Sequence, residues 1–472
     1  MKRPRINLKF NPLFLSFIAI ALFACKQEPI DDNPNEENPA ITEVTDTTQV
    51  LNYLFDHAAL PHYKLAISVA EWNKLLTYFD QNEHNEEYVN TACSVEKTTK
   101  TFQFATTGLR LRGNTSRRRP EGVTGELHNS TNPDWHHASF TLKFNKFKKG
   151  QKLLGQEKMI LKWFKDDAMY VRELYCYDLF RRFGVWTAPR SSYCRLTISV
   201  AGDAKSAYFG VYQSIEPVDE DYIKQRAAQF GSTDGFLWKA NYGADLSNSD
   251  KGRMGLEVHT LSSNYDPVYD LKTNDAELET AKTQLAQFID SVRILNNDAF
   301  KNWISKRTDI DLLLKTYAVN VMCGMWDDYW KHANNYYFYM DRSGKFWFIP
   351  YDYDNTLGTS LLMSNSGTQN LLSWGSSSNP LISKIISISE YRTKYINYLK
   401  ELNAATNDLF YVDKSEARIK KWHKLISNHI VNDTDEDMEL KDVPASWGNC
   451  PQYRLLGPSN NFFSIRGSNL PQ

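Results

Sequence analysis

Apolar and polar positions alternate along much of the first half of the chain, and apolar residues spaced three and four apart take over in the second. Period-2 stretches predict strands over 63–69, 103–112, 139–144 and 158–164. Helical spacing predicts a short helix over 71–79 and a longer one over 168–183. Asp166 and Asp167 open the longer one with an N-cap and favourable charge, and Arg181, Arg182 and Gly184 close it. Strands over 195–200 and 208–215 turn at Gly202 and Asp203. A helix is expected near 276–295, inside an otherwise loop-like 240–300. Asp309 or Asp311 caps the next helix, whose Ile310, Leu313, Leu314, Tyr317 and Val321 share one face. A hairpin over 335–339 and 345–349 turns across 341–344. A Ser/Gly/Asn-rich loop fills 359–380, helix resumes to about 431, and the remainder reads as irregular. No internal repeat is present.

The N-terminus breaks this pattern. Lys2, Arg3, Arg5 and Lys9 precede a short apolar run, 13–24, that ends in LFAC at 22–25. This is the layout of a lipoprotein signal, with residues 1–24 removed and Cys25 lipidated. Residues 25–50 read as an acidic, Pro/Asn-rich flexible tether with too little apolar content to fold. The folded domain is expected over 51–472. No internal apolar run is long enough to span a bilayer. Membrane attachment is therefore expected through the N-terminal lipid only, in the cell envelope, at the outer membrane or cell surface. Net charge is −1, so a dominant nucleic-acid footprint is excluded. Five cysteines remain after Cys25, with no CxxC spacing, and buried free thiols are expected.

Candidate chemistry concentrates in two segments, WDDYWKHANN at 326–335 and FIPYDYD at 348–354. They set acidic clusters and two asparagines around one turn. Carboxylates and Asn amides are oxygen ligands for a hard cation. Phosphoryl transfer needs such a metal and a base for the attacking hydroxyl. Asp352 and Asp354 lie two apart, on one face of an extended strand, and are placed to share a cation. Asp328 is the first candidate for the residue that deprotonates the acceptor hydroxyl, with Asp327 its alternative. Asn334 and Asn335 are candidates for a metal, and His332 reads as structural or substrate-facing.

The order of parts is that of a protein kinase: strands with a lysine, a helix with a glutamate, a strand ending at Glu216, an Asp/Asn loop, then Asp352. The GxGxxG, HRD and DFG spellings are missing. The blocks LRLRGNTS at 109–116, YVREL at 170–174, YFGVYQSIE at 208–216, NNYYFY at 334–339 and FIPYDYDNTLG at 348–358 resemble the spore-coat protein H (CotH) kinase family, here as an exported lipoprotein of the Bacteroidetes type. The resemblance spans about residues 60–470. It implies an α+β fold, an atypical, reduced protein-kinase-like one, with a mostly antiparallel sheet lobe (about 60–216) and a helical lobe (about 217–472). It also implies binding of ATP with Mg²⁺ or Mn²⁺, transfer to protein hydroxyls, and a metal-binding role for Asp352.

For the phosphates, Lys143 holds the strand position expected from the family, with Lys162 as its alternative. A lysine within an apolar strand needs a partner or a ligand. Glu173 is placed to pair with the chosen lysine. Arg110, Arg112 and Gly113 are placed to replace the missing Gly-rich loop, since guanidinium forks hold phosphate and Gly permits close approach. Arg172 is a further phosphate candidate, Glu216 a candidate for adenine, and Arg117 to Arg119 read as a solvated loop. The leading expectation is thus a kinase with ATP and an unidentified protein acceptor as partners. The alternative is a catalytically inactive surface lipoprotein that binds a glycan or a protein partner through its many aromatics. Metal-dependent phosphoester hydrolysis would need more His or Asp ligands than the chain offers.

Overall fold

The computed structural model of the protein describes residues 47–257 and 267–471. The leader, Cys25 and the tether up to residue 46 lie outside the described residues. The first described element is a helix, Thr47–Leu54, which begins within the span read as tether and buries Leu51 and Leu54.

Seven strands close into a barrel: β1 (His62–Ile67), β2 (Val89–Lys97), β3 (Lys100–Arg112), β4 (Ser139–Lys143), β5 (Lys158–Lys162), β6 (Ser191–Val200) and β7 (Ala207–Ile215). Their order is β1-β2-β3-β4-β5-β7-β6, and the parallel pair β1–β6 shuts the ring. The other pairs are antiparallel. Closure removes the exposed edges that an open sheet would leave. The fold is α+β, as the resemblance implied, but its first sheet is a closed barrel. β2 escaped the sequence reading because its inward positions include Thr91, Cys93 and Lys97, which blur the apolar alternation.

A second sheet joins β8 (Phe236–Ala240), β9 (Met254–Gly255), β10 (Tyr269–Leu271), β11 (Tyr336–Met340) and β12 (Phe346–Pro350) in the order β12-β11-β8-β10-β9. β8, β9 and β10 fall in or beside the stretch read as loop. The back of this sheet carries Trp238, Tyr336, Phe338, Phe346 and Phe348, which stack on one another and on Phe288 and Tyr317 of the helices. Its front carries Lys239, Tyr337 and Tyr339, which are cross-strand partners or lie two apart.

The helix Arg172–Arg182 starts later than its charge pattern predicts. Tyr170 sits at φ 59°, and the Asp167 carboxylate accepts from the amides of Val171 and Arg172 at 2.9 and 2.7 Å. The helix Ile310–Met322 is capped by Asp309, which accepts from Leu312 N at 3.0 Å. A C-terminal helix, Phe462–Ser468, capped by Asn461, lies in sequence read as irregular. Cys93, Cys176, Cys194, Cys323 and Cys450 are free thiols. No helix among the described residues is long and apolar enough to cross a membrane.

Strand register places the site. Arg112 pairs with Ser139, Phe140 with Leu161, and Lys162 with Gln213. Arg112, Ser139, Lys162 and Gln213 therefore form one row across four strands at one end of the barrel. Their neighbours Leu111, Phe140, Leu161 and Tyr212 fill the barrel core, so this row faces outward.

Candidate active site

Lys162, at the end of β5, is the hub. Its ammonium donates to Asp352 Oδ1 at 2.6 Å and lies 2.8 Å from Glu173 Oε2 and 3.0 Å from Asp354 Oδ2. Burial works against its charge, but the three carboxylates outweigh it and hold the ammonium well above its ordinary pKa. Lys143 is not in this cluster. It stands opposite Gly108 and Lys158, four residues along β4 from Ser139, which is about 13 Å at strand rise. Burial and the neighbouring Lys158 and Lys146 push its pKa down.

The helix Arg172–Arg182 presents Glu173, Tyr177 and Phe180 on one face through its i, i+4 and i+7 spacing. Glu173 Oε1 accepts from Tyr353 N at 3.2 Å, and Tyr177 OH accepts from Asp352 N at 3.0 Å. Phe180 meets the Tyr353 ring edge-on at 5.0 Å. One helical face thus grips the segment after β12. Asp352 itself sits at φ 62°, a strained backbone for a non-glycine residue that these contacts maintain. Burial opposes its charge, yet Lys162 and then Arg112 hold its carboxyl below the ordinary range. Asp354, half-buried beside Asp352, is pushed up, and Glu173 is raised by burial. Asp354 also accepts from Asn355 at 2.7 Å.

The second acidic loop runs from the end of Ile310–Met322 to β11. Asp328 is 2 % exposed and caps the short helix Tyr329–His332. Its oxygens accept from Lys331 N at 3.0 Å and from the Asn320 amide at 2.7 Å. Asn320 in turn accepts from Tyr353 OH at 2.7 Å and so ties the two acidic loops together. Asp328 is therefore a buried anchor, and the half-buried Asp327 is the one that feels Asp352 and Asp354. The amides of Asn334 and Asn335 donate to Asp327 at 3.2 and 2.7 Å. Burial first, then Asp352 and Asp354, push Asp327 up to about 7. Asn335 stands at φ 49° and Ala333 at φ 53°, so this loop also stores strain. His332 packs at a tilt against Tyr242 at 4.9 Å and near Trp326, with its pKa lowered by burial, so its surroundings are aromatic.

Arg112, at the end of β3, donates to Tyr351 OH at 2.7 Å and is one of the charges that depress Asp352. Gly113 turns the chain beside it at φ 117°, where a Cβ would lie 2.7 Å from Ser116 Oγ. Arg110 points to Glu86 at 2.8 Å, two residues back along the strand. Two residues expected at the nucleotide are committed elsewhere. Arg172 is fully buried, paired with Asp167 and donating to Val443 O at 3.0 Å. Glu216 is fully buried in a two-pronged pair with Arg226, 2.7 Å on each prong, and also accepts from Arg190 N. Arg117, Arg118 and Arg119 are paired with Glu86, Glu436 and Asp80. The sequence reading missed Asn320, Tyr177, Tyr351 and Tyr353. Of these, only Tyr177 had a signal, its i+4 spacing from Glu173.

The donor set is one of hard oxygens. Among the described residues no three His, Cys, Asp or Glu side chains form a ready metal cage, since the acids converge on Lys162. Three carboxylates nevertheless face one ammonium, with Asp327 adding to the negative potential. That excess, with the amide oxygen of Asn335, suits a hard divalent cation. Asp352, Asp354 and Asn335 could offer oxygens to such an ion.

A family model described as CotH kinase protein matches residues 109–453. No curated protein matches the chain.

Proposed function

The chain belongs to the CotH kinase protein family, and on that premise we propose that it is a metal-dependent kinase that moves the γ-phosphoryl group of ATP to a Ser or Thr hydroxyl of a protein at the cell envelope. The observation that carries this reading is the cluster of Glu173, Asp352 and Asp354 on Lys162, drawn from the barrel, a helix and a loop, with Asp327 of a second loop near enough to feel Asp352 and Asp354. Phosphoryl transfer asks for this and little covalent chemistry: a positioned base, fixed metal ligands and a cation that orders them.

Asp327 is the base in this reading. The acceptor oxygen attacks the γ-phosphorus, the bond to the β–γ bridging oxygen breaks, ADP leaves, and the hydroxyl proton passes to the Asp327 carboxylate. Asn334 and Asn335 hold that carboxylate in place. A carboxyl with its pKa near the working pH serves such a step well. Lys162 and Glu173 fix Asp352, and Asp352, Asp354 and Asn335 hold Mg²⁺ or Mn²⁺. When bound, the metal supplies charge neutralisation for the phosphates. The lipoprotein-type leader supports the envelope assignment.

The test is incubation of the purified protein with γ-labelled ATP and Mg²⁺ or Mn²⁺, beside Asp327→Asn and Asp352→Ala. Label is expected on the protein or a generic acceptor, and both variants should lose it by about 10²-fold or more. Absence of label, with no thermal shift on adding ATP and metal, would replace the kinase by a binding-only surface lipoprotein.

A further inference from the structure

Lys162 is saturated: three carboxylates surround its ammonium. Two other cations of the cleft are not. Arg112 makes its side-chain hydrogen bond to a neutral phenol, Tyr351, and has no ion pair among the described residues. Lys239, in the middle of β8, also has no ion pair among the described residues. The nearby acids Asp270 and Glu257 are both engaged by Lys272.

A chain of contacts joins these two cations. Lys239 stands opposite Tyr337 on β11, at the close spacing of cross-strand partners. The Tyr337 ring packs edge-on against Tyr351 at 4.9 Å, and Tyr351 OH receives Arg112 at 2.7 Å. Lys239 and Tyr337 on the second sheet, then Tyr351, then Arg112 from the barrel thus follow one another, beside Asp352, whose carboxyl feels both cations. Lys239 is half-buried in this strand and has no counter-ion among the described residues, so its ammonium is available to a ligand. Phe236, Leu237, Trp238 and Ala240 make this strand otherwise apolar.

We propose that Arg112 and Lys239 form a two-point anion site that grips the phosphate chain of a nucleoside di- or triphosphate from the sheet side of the cleft, while Lys162 serves to order the acids. The proposal rests on the kinase reading and assigns Lys239 a contact with substrate. A guanidinium fork and a point-charge ammonium on two separate elements match an extended polyphosphate better than a single small anion.

The experiment is titration calorimetry of the purified protein with ATP and with inorganic tripolyphosphate, both with Mg²⁺, for wild type, Lys239→Ala, Lys239→Met, Lys239→Arg and Arg112→Ala, with a thermal melt of each. Lys239→Ala and Arg112→Ala should each weaken both ligands by about 10-fold or more, and Lys239→Arg should keep most of the affinity. Lys239→Met retains the strand's packing volume and serves if the alanine variant fails to fold. Without ligand, Lys239→Met should melt at or above the wild-type temperature, which a lysine kept for structure would not allow. Unaltered ATP and tripolyphosphate binding in a folded Lys239 variant overturns the anion site. Tripolyphosphate binding that depends on Lys239, in a protein that transfers no label from ATP, keeps the site and removes the kinase. A wild type that binds neither ligand overturns both.

Discussion

Asp327 and Asp328 show how far two adjacent identical residues diverge. Asp328 has both oxygens engaged inside the protein, by a helix amide and by Asn320. Asp327 is held by two side-chain amides at the cleft and feels Asp352 and Asp354. Asp328→Ala removes an N-cap and strands the Asn320 amide, so it should lower stability by about 1–3 kcal/mol, read in a thermal melt. Asp327→Asn should fold normally and fail in transfer. With Asp327 pushed up to about 7, the transfer rate should climb between pH 6 and 8 and then level. A flat profile over that range removes Asp327 as the base. Stability carries the same signature. The folded pKa lies above the ordinary carboxylate value of about 4. The folded state therefore holds more protons than the unfolded state between those values, and the Asp327 contribution to stability falls as pH rises through that window. The melting temperature of Asp327→Asn relative to wild type should accordingly increase from pH 5 to pH 8.

At the scale of elements, the acidic loops are held by their neighbours. The Ser/Gly/Asn-rich segment 359–380 bonds to the short helix Tyr329–His332. Ser376 N donates to Trp330 O at 2.7 Å, and the Asn379 amide donates to Tyr329 O and Trp330 O at 2.7 and 2.9 Å. Trp374 Nε1 donates to Met325 O at 2.7 Å. Gly375 lies under Trp330 so closely that a Cβ would stand 1.9 Å from Trp330 Cδ1. Gly375→Ala should therefore displace Trp330, cost about 1–3 kcal/mol, and slow transfer while ATP affinity is kept. Initial rates, calorimetry and a melt of this variant decide it, and an unchanged rate removes the bracing role. The helix Arg172–Arg182 was legible as a helix with a glutamate, but its start was not, because Tyr170 and Asp167 build a turn in what reads as helical sequence. β8 was missed for a different reason: five residues bounded by polar turns carry too little period to separate strand from loop.

At the scale of the whole molecule, one residue near the C-terminus pins distant parts together. Arg466 is fully buried in the helix Phe462–Ser468 and donates to Val321 O at 3.1 and 2.7 Å, to Gln369 O, and over the Trp374 ring at 4.6 Å. It joins the C-terminus, the end of the helix Ile310–Met322 and the segment 359–380. Arg466→Ala leaves buried carbonyls without donors and should cost about 3 kcal/mol, visible as a lower urea midpoint. A midpoint equal to wild type would show that this pin is dispensable. The barrel contributes a rigid end from which Arg112 and Lys162 project in one row, and the second sheet contributes the facing wall.

Sequence alone determined the mixed α and β composition, most barrel strands, the glutamate helix, a cap at Asp309 or Asp311 and the two acidic segments. Each is a local pattern, of period, cap or cluster, that survives without knowledge of its neighbours. Tertiary structure decided which residue of each candidate pair meets the cleft. Lys162 and Lys143 share an outward strand face, and only the register of β4 with β5 sets one of them beside Glu173. Asp327 and Asp328 differ only in direction. Arg172 and Glu216 look available until Asp167 and Arg226 are folded against them. Lys239 gains its place from pairing with a strand almost a hundred residues away. A charge's role depends on what stands within a few ångströms, and those neighbours come from non-local pairing that one-dimensional periodicity does not encode.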